Sequence, residues 1–65
     1  MAWHYQLMRH TGSDDGVWYA VHEFYERAGY TLEPVRVQGQ DIDDIKWMLK
    51  HVLEDIEKHG VKDYE

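Results

Sequence analysis

The chain has 65 residues, no cysteine and a formal net charge of −6, from 7 Lys and Arg against 13 Asp and Glu. We treat residues 1–65 as a single domain, because a chain of this length supports one core. Disulfides and thiolate metal sites are excluded, and no apolar run reaches the roughly 20 residues of a membrane-spanning helix. The first residues do not form a signal peptide, and the acidic balance disfavours direct nucleic-acid binding. We expect a soluble cytoplasmic protein that does not bind membranes.

Two segments in the first half of the chain have strand patterns. Residues 3–9 alternate between two sides of a strand. The turn-forming residues at 11–16 then predict a hairpin into a second strand over 17–25. Both sides of that second strand are apolar, so the pattern leaves open which side faces the core, and a β-bulge near His22 could exchange them.

A third strand is predicted over residues 31–38. Pro34 has no N–H to donate to a sheet, so this strand is expected at an edge, or bulged at the proline. The alternation would then turn Val35 and Val37 toward the core.

The signals of an α-helix agree over residues 42–59. Asp41 is the expected N-cap, and Gly60 is the residue expected to end the helix. Apolar residues recur every three or four positions, which predicts one buried stripe. That predicted stripe contains Ile42, Ile45, Leu49, Val52, Leu53 and Ile56, with Met48 on its flank. Trp47 falls on the opposite, outward side of the helix.

These elements predict an α+β fold of β-β-β-α order: a three-stranded antiparallel meander followed by one amphipathic helix. One helix covers one face of such a sheet, yet the sequence has apolar or aromatic side chains on both faces. Because contiguous exposed apolar surface is unusual for a soluble monomer, we predict a homodimer that forms through the uncovered face or the edge strand. The candidate interface residues are Trp47, Trp3, Tyr5, Tyr19 and Tyr25.

Five histidines suggest a metal site, but their spacing does not support one. His4 and His10 would be about 20 Å apart on one extended strand. His51 and His59 are separated by two helical turns. A hydrogen-bonded structural role is expected for His22. No hydroxyl lies near an obvious base, and a chain this short leaves little volume for a pocket, so we predict no enzyme activity, no metal and no cofactor.

Acidic residues are concentrated in the second part of the sequence. Residues 41–65 contain eight acids and four lysines, a net charge of −4. The ordinary interpretation is a solvated helix face, and the alternative is a surface that mimics nucleic acid. The candidate residues for that acidic face are Asp43, Glu54 and Glu57.

Several stretches of the chain resemble a family of short bacterial and phage-type proteins. That family has a strand with Ile-His-Glu-Val-Tyr, an Asn-Pro-Val segment, a helix opened by Gly-Glu-Ser/Thr-Leu-Glu-Glu-Leu, and an Asp-Tyr-Glu tail. The resemblance runs from 17 to 65 and departs at Asp41, where the family pattern has Ser or Thr, and at 60–62. It implies no reaction, because the family has no assigned activity. The matching stretches are 18–25, 33–35, 39–45 and 63–65.

A looser similarity is to the N-terminal domain of HicB-type antitoxins. It rests on the order of the elements and on the motif that opens the helix. This similarity implies a β-β-β-α arrangement and suggests a protein inhibitor. Such antitoxins typically add a DNA-binding domain, for which this sequence has no counterpart.

Three hypotheses on function follow. The leading one is a small non-enzymatic protein-interaction or regulatory module. The alternative is an acidic inhibitor, antitoxin-like or phage-encoded, that could mimic nucleic acid. A small metal- or ligand-binding protein is the third.

Overall fold

The computed structural model describes residues 2–12 and 16–64. Along the chain the elements are β1 (Trp3–Thr11), β2 (Val17–Tyr25), β3 (Gly29–Tyr30), α1 (Ile42–His59) and β4 (Val61–Asp63). The strands form one sheet in the order β3-β2-β1-β4, so the predicted α+β class is confirmed. The predicted turn residues 13–15 and the last residue of the Asp-Tyr-Glu ending lie outside the described part. Within that part, no helix has the length and apolar character needed to cross a membrane.

The first two strands form the predicted hairpin. β1 and β2 pair antiparallel in an unbroken register, from Trp3 opposite Tyr25 to Thr11 opposite Val17. β1 is two residues longer than predicted, and no bulge interrupts β2 at His22. Because side chains alternate along a strand, this register fixes which residues share each face of the sheet.

The predicted third strand over 31–38 is wrong, since none of these residues is in a regular strand. β3 lies just before this range, and its two residues pair with β2. Beyond them, two backbone hydrogen bonds continue the contact, from Thr31 N to Glu23 O (2.9 Å) and from Val35 N to Val21 O (2.8 Å). The proline between these two donors has no N–H, so the ladder cannot run continuously through this segment.

The sequence analysis missed β4. Its residues pair with β1 in parallel, with Val61 opposite Leu7 and Asp63 opposite Arg9. Arg9 Nε lies 3.2 Å from Asp63 Oδ1, and the next residue, Tyr64, donates its backbone N–H to Arg9 O over 2.9 Å. The sheet is therefore mixed, not the purely antiparallel meander that was predicted.

The helix begins and ends where its local sequence predicts. The Asp44 N–H donates to Asp41 Oδ1 over 2.9 Å, and the Asp44 side chain accepts from Gln40 N over 3.2 Å. At the other end Gly60 has a φ of 70° and donates its N–H to Ile56 O. Both ends of the helix are thus stabilised by hydrogen bonds to groups that would otherwise lack a partner.

The side of the helix that packs on β1 is rotated from the predicted one, and Ile45, Val52 and Ile56 of the predicted stripe are half-buried. Met48, which was placed on the flank, is buried, and Asp55 accepts the backbone N–H of Tyr5 over 2.9 Å. Three members of the predicted buried stripe are exposed instead: Ile42, Leu49 and Leu53. Val37, expected to face the core, is exposed as well.

The core contains polar as well as apolar side chains. Tyr5, Met8 and Met48 are buried together with Gln6 and His22. Within the described residues every buried side-chain N or O atom has a hydrogen-bond partner. This matters because a buried polar group without a partner costs about 1–3 kcal/mol.

Candidate interaction surface

One exposed apolar surface is the side of α1 that points away from the sheet. Ile42, Leu49 and Leu53 are 73%, 50% and 58% exposed, and they follow one another at spacings of seven and four residues. On a helix with 3.6 residues per turn these spacings place all three in one row. We call this row the outer stripe. Its border toward the sheet is formed by the half-buried Ile45, Val52 and Ile56.

A row of charged side chains lies beside the outer stripe. Lys46, Lys50, Glu54 and Glu57 are exposed and follow one another at spacings of four, four and three residues. We call them the charged row. Its two lysines occupy the first half of the helix and its two glutamates the second half.

The predicted acidic face coincides in part with this charged row. Glu54 and Glu57 belong to the row, while Asp43 lies in the first turn of the helix, and all three are exposed. Lys46 and Lys50 lie between Asp43 and the two glutamates along the helix. The surface that contains the three predicted acids therefore has charges of both signs.

Trp47 is exposed on the outward side of the helix, as the sequence predicts. Its ring packs against that of His51, with 4.2 Å between the centroids. Trp47 and His51 are four residues apart and form a row on the helix that is separate from the outer stripe.

The other predicted interface residues are split between the core and the surface of the sheet. The rings of Trp3 and Tyr5 are perpendicular, with centroids 5.1 Å apart, and the Trp3 and Tyr25 centroids lie 6.3 Å apart. Tyr5 is buried, whereas Trp3 keeps an exposed edge. Tyr19 is exposed near the other end of the hairpin, opposite Arg9.

Two tyrosines of this group are held in the neutral form. The Tyr25 hydroxyl donates to Glu23 Oε1 over 2.6 Å, and this hydrogen bond is the main cause that raises the pKa of Tyr25. Burial is the main cause that raises the pKa of Tyr5, with smaller contributions from the carboxylates of Glu23 and Asp55. Both shifts favour the protonated phenol, and in Tyr25 that phenol donates the hydrogen bond to Glu23.

A pair of histidines, the buried His22 and the half-buried His10, lies on the opposite face of the sheet. His22 Nδ1 is 2.9 Å from Thr31 O, and since a carbonyl only accepts, His22 donates there. The Nε2 atoms of His22 and His10 are 2.9 Å apart and share one proton. Trp18 and Tyr64 stack on His10, and burial followed by the charge of His22 lowers the pKa of His10. The structural role predicted for His22 is confirmed.

A second pair joins β1 to the end of the helix. His4 and His59 stack with ring centroids 3.6 Å apart. His4 Nε2 donates to Gln6 Oε1 over 3.0 Å, because the amide nitrogen of Gln6 is itself donating to the carbonyl of Gly60. Burial is the main cause that lowers the pKa of His59, and the neighbouring His4 adds to it. Sequence spacing missed both pairs, since their members are brought together by pairing of distant segments.

Among the described residues, the surface contains grooves of about 410 and about 350 Å³, a larger volume than expected for so short a chain. Tyr5, Glu23, Glu33, Arg36 and Met48 line the larger one, and Trp3, His4, Phe24, Asp55 and His59 line the smaller one. Across residues 2–12 and 16–64, no group of three or more His, Cys, Asp or Glu side chains is arranged to hold a metal ion.

No protein-family model, curated protein or solved structure matches the chain. The resemblances to short bacterial and phage-type proteins and to antitoxin domains stay predictions. Function has to be inferred from the surfaces of the chain itself. Among them the outer stripe stands out, because a soluble monomer rarely exposes a contiguous apolar row.

Proposed function

We propose that the protein is a small non-enzymatic protein-interaction module that acts as a homodimer, with the outer stripe of α1 as its contact surface. The observation that supports this is the exposure of half or more of each of Ile42, Leu49 and Leu53 in a single row. Burying a side chain of this size contributes about 1.5–3 kcal/mol. In a two-fold dimer each of these side chains contributes twice, because the same patch faces itself.

The side chains that could perform acid–base chemistry have hydrogen-bond partners within the fold, which supports a non-enzymatic role. The buried His22 is hydrogen-bonded at both ring nitrogens, and His4 donates to Gln6. Asp55 accepts from the backbone of Tyr5. These side chains have structural partners, which accounts for their positions without a substrate.

The charged row favours an interaction module over an acidic inhibitor. A surface that imitates a phosphate backbone needs charges of one sign along its length. Here Lys46 and Lys50 occupy the same row as Glu54 and Glu57. We therefore do not propose the nucleic-acid mimic.

The outer stripe is a better candidate for the dimer contact than the aromatic residues. Its three side chains are aliphatic and lie in one row along α1. Trp47 pairs with His51 in a separate row, and Tyr5 is buried in the core. Tyr19 is exposed, but its side chain lies on the sheet and not on α1.

Two matched variants test this proposal. Leu53 and Tyr19 are 58% and 57% exposed, so each can be replaced by lysine without burying a charge. We expect Leu53→Lys to give a folded monomer and Tyr19→Lys to remain a dimer, as measured by light scattering at micromolar concentration, with circular dichroism to verify folding. A folded Leu53→Lys dimer together with a Tyr19→Lys monomer would move the contact to the sheet.

A further inference from the structure

The charged row is asymmetric along the helix, and this asymmetry specifies a partner. Lysines occupy positions 46 and 50, and glutamates occupy positions 54 and 57, all exposed beside the same apolar row. Such a row is complementary to a copy of itself that runs in the opposite direction. It is not complementary to a copy that runs in the same direction.

We propose that the outer stripe packs against the outer stripe of a second copy of this chain with the two helices antiparallel, so that Lys46 and Lys50 face Glu57 and Glu54 of that copy. This proposal rests on the proposed function, since it names the partner and its orientation at the same surface. It goes further than self-association, because it fixes which residues meet.

Symmetry explains why only the antiparallel arrangement uses these charges. In an antiparallel pair the two-fold axis is perpendicular to the helices. It brings the same flank of each helix together with the chain directions opposed, so that residue i of one copy contacts residue j of the other and residue j contacts residue i. In a parallel pair the axis runs along the helices. The charged row would then face the other flank of the outer stripe on the second copy, where the half-buried Ile45, Val52 and Ile56 lie.

One register satisfies both the apolar and the charged contacts. In an antiparallel pair, the sequence midpoint of two contacting residues marks the position of the two-fold axis along the helix. This midpoint is position 51 for Leu49 with Leu53 and position 51.5 for Lys46 with Glu57. The midpoint of Lys50 and Glu54 is 52. With a rise of about 1.5 Å per residue, these centres agree to within about 2 Å along the helix axis. The leucines therefore interdigitate in the same alignment that pairs the charges.

A charge reversal separates this local pairing from the effect of net charge. The chain has a net charge of −6, so replacing a glutamate by lysine reduces the overall repulsion between two copies. At Glu57 the same change would oppose Lys46 of the second copy. We expect Glu57→Lys to raise the dimer dissociation constant about three- to ten-fold, since the exposed pair is lost twice. Glu26→Lys, with the same charge change in the turn after β2, should not raise it.

The compensating variant tests the contact itself. Lys46→Glu combined with Glu57→Lys exchanges the two charges, and we expect its dissociation constant to return to within about two-fold of the wild-type value. The two positions are 11 residues apart in the same helix, too far for direct pairing within one copy. Failure of the double variant to recover would overturn the antiparallel pairing.

Spin labels measure the orientation independently. The chain has no cysteine, so Asp43→Cys and Lys50→Cys can each be labelled at one site. In the antiparallel register the two labels at position 43 are separated by about 25 Å along the axis, and those at position 50 by about 5 Å. A parallel dimer would give equally short separations at both sites and would exclude this arrangement. A wild-type protein that is monomeric in these experiments would instead contradict the proposed function as a whole.

Discussion

The two sides of α1 differ in a way that hydrophobicity alone does not explain. The side that packs on the sheet contains Met48, but also Asp55 and His59. The side that faces solvent presents Leu49 and Leu53. The buried side also offers specific polar partners, including a carboxylate for the free N–H of Tyr5 at the edge of β1. The helix therefore keeps part of its apolar surface available for a second molecule.

The largest difference in stability is expected between two variants that each place a charge on one side of the helix. Met48→Asp puts a carboxylate into the core, and we expect a loss of about 3–5 kcal/mol in the free energy of unfolding, enough to remove the cooperative thermal transition. Leu49→Asp should stay folded, within about 1 kcal/mol of the monomeric wild type. Thermal unfolding followed by circular dichroism at low concentration compares the two. An unfolded Leu49→Asp would show that the assignment of the two sides is wrong.

A smaller effect is expected from the polar contact that anchors the inner side. Asp55→Ala removes the acceptor for the Tyr5 N–H and should lower the free energy of unfolding by about 1–3 kcal/mol. Glu26→Ala removes an exposed carboxylate in the turn after β2, and we expect a change of no more than about 0.5 kcal/mol. Urea unfolding measures both variants, and equal losses would remove the special role of Asp55.

The pH dependence of stability gives a third and smaller difference. The pKa of His59 is lowered below its ordinary value of 6.5, mainly by burial, and that of His10 is lowered in the same direction. As the pH falls through about 6.5, the unfolded chain binds protons before the folded chain does, so the stability present above this pH is progressively lost below it. We expect the free energy of unfolding, measured in urea between pH 7.5 and 5, to fall on acidification.

Two variants assign this pH dependence to one side of the helix. His59→Gln should reduce the fall in stability, because His59 belongs to the inner side and stacks on His4. His51→Gln, at the histidine that packs on the exposed Trp47, is the matched control variant on the outward side of the helix. Identical pH profiles for the two variants would contradict a role for the His4–His59 contact.

The parts of the fold that were predicted from the sequence are those with local signals. The range 42–59 follows from Asp41 and Gly60, and both ends have the expected hydrogen bonds. β4 could not be predicted in this way, because its three residues pair with a strand more than 50 positions away in the sequence. In place of the strand predicted over 31–38 there are two separate backbone hydrogen bonds to β2, one on each side of Pro34.

The candidate surface was predicted in part. The sequence identifies Ile42, Leu49 and Leu53 as apolar members of one helix, but it assigns them to the core. Apolar residues at spacings of three and four cover a broad arc of the helix surface, so the spacing alone does not fix which part of the arc is buried. The contact of Asp55 with Tyr5 determines which part faces the sheet. That contact joins residues 50 positions apart, so no local pattern could reveal it.

The central claim is that the outer stripe of α1 brings two copies of this chain together. Sedimentation equilibrium of the wild-type protein across the micromolar range tests it most directly, because the measured mass does not depend on shape. We predict a concentration-dependent mass that approaches twice the 7.8 kDa of one chain. A mass that stays at 7.8 kDa across that range would contradict the claim.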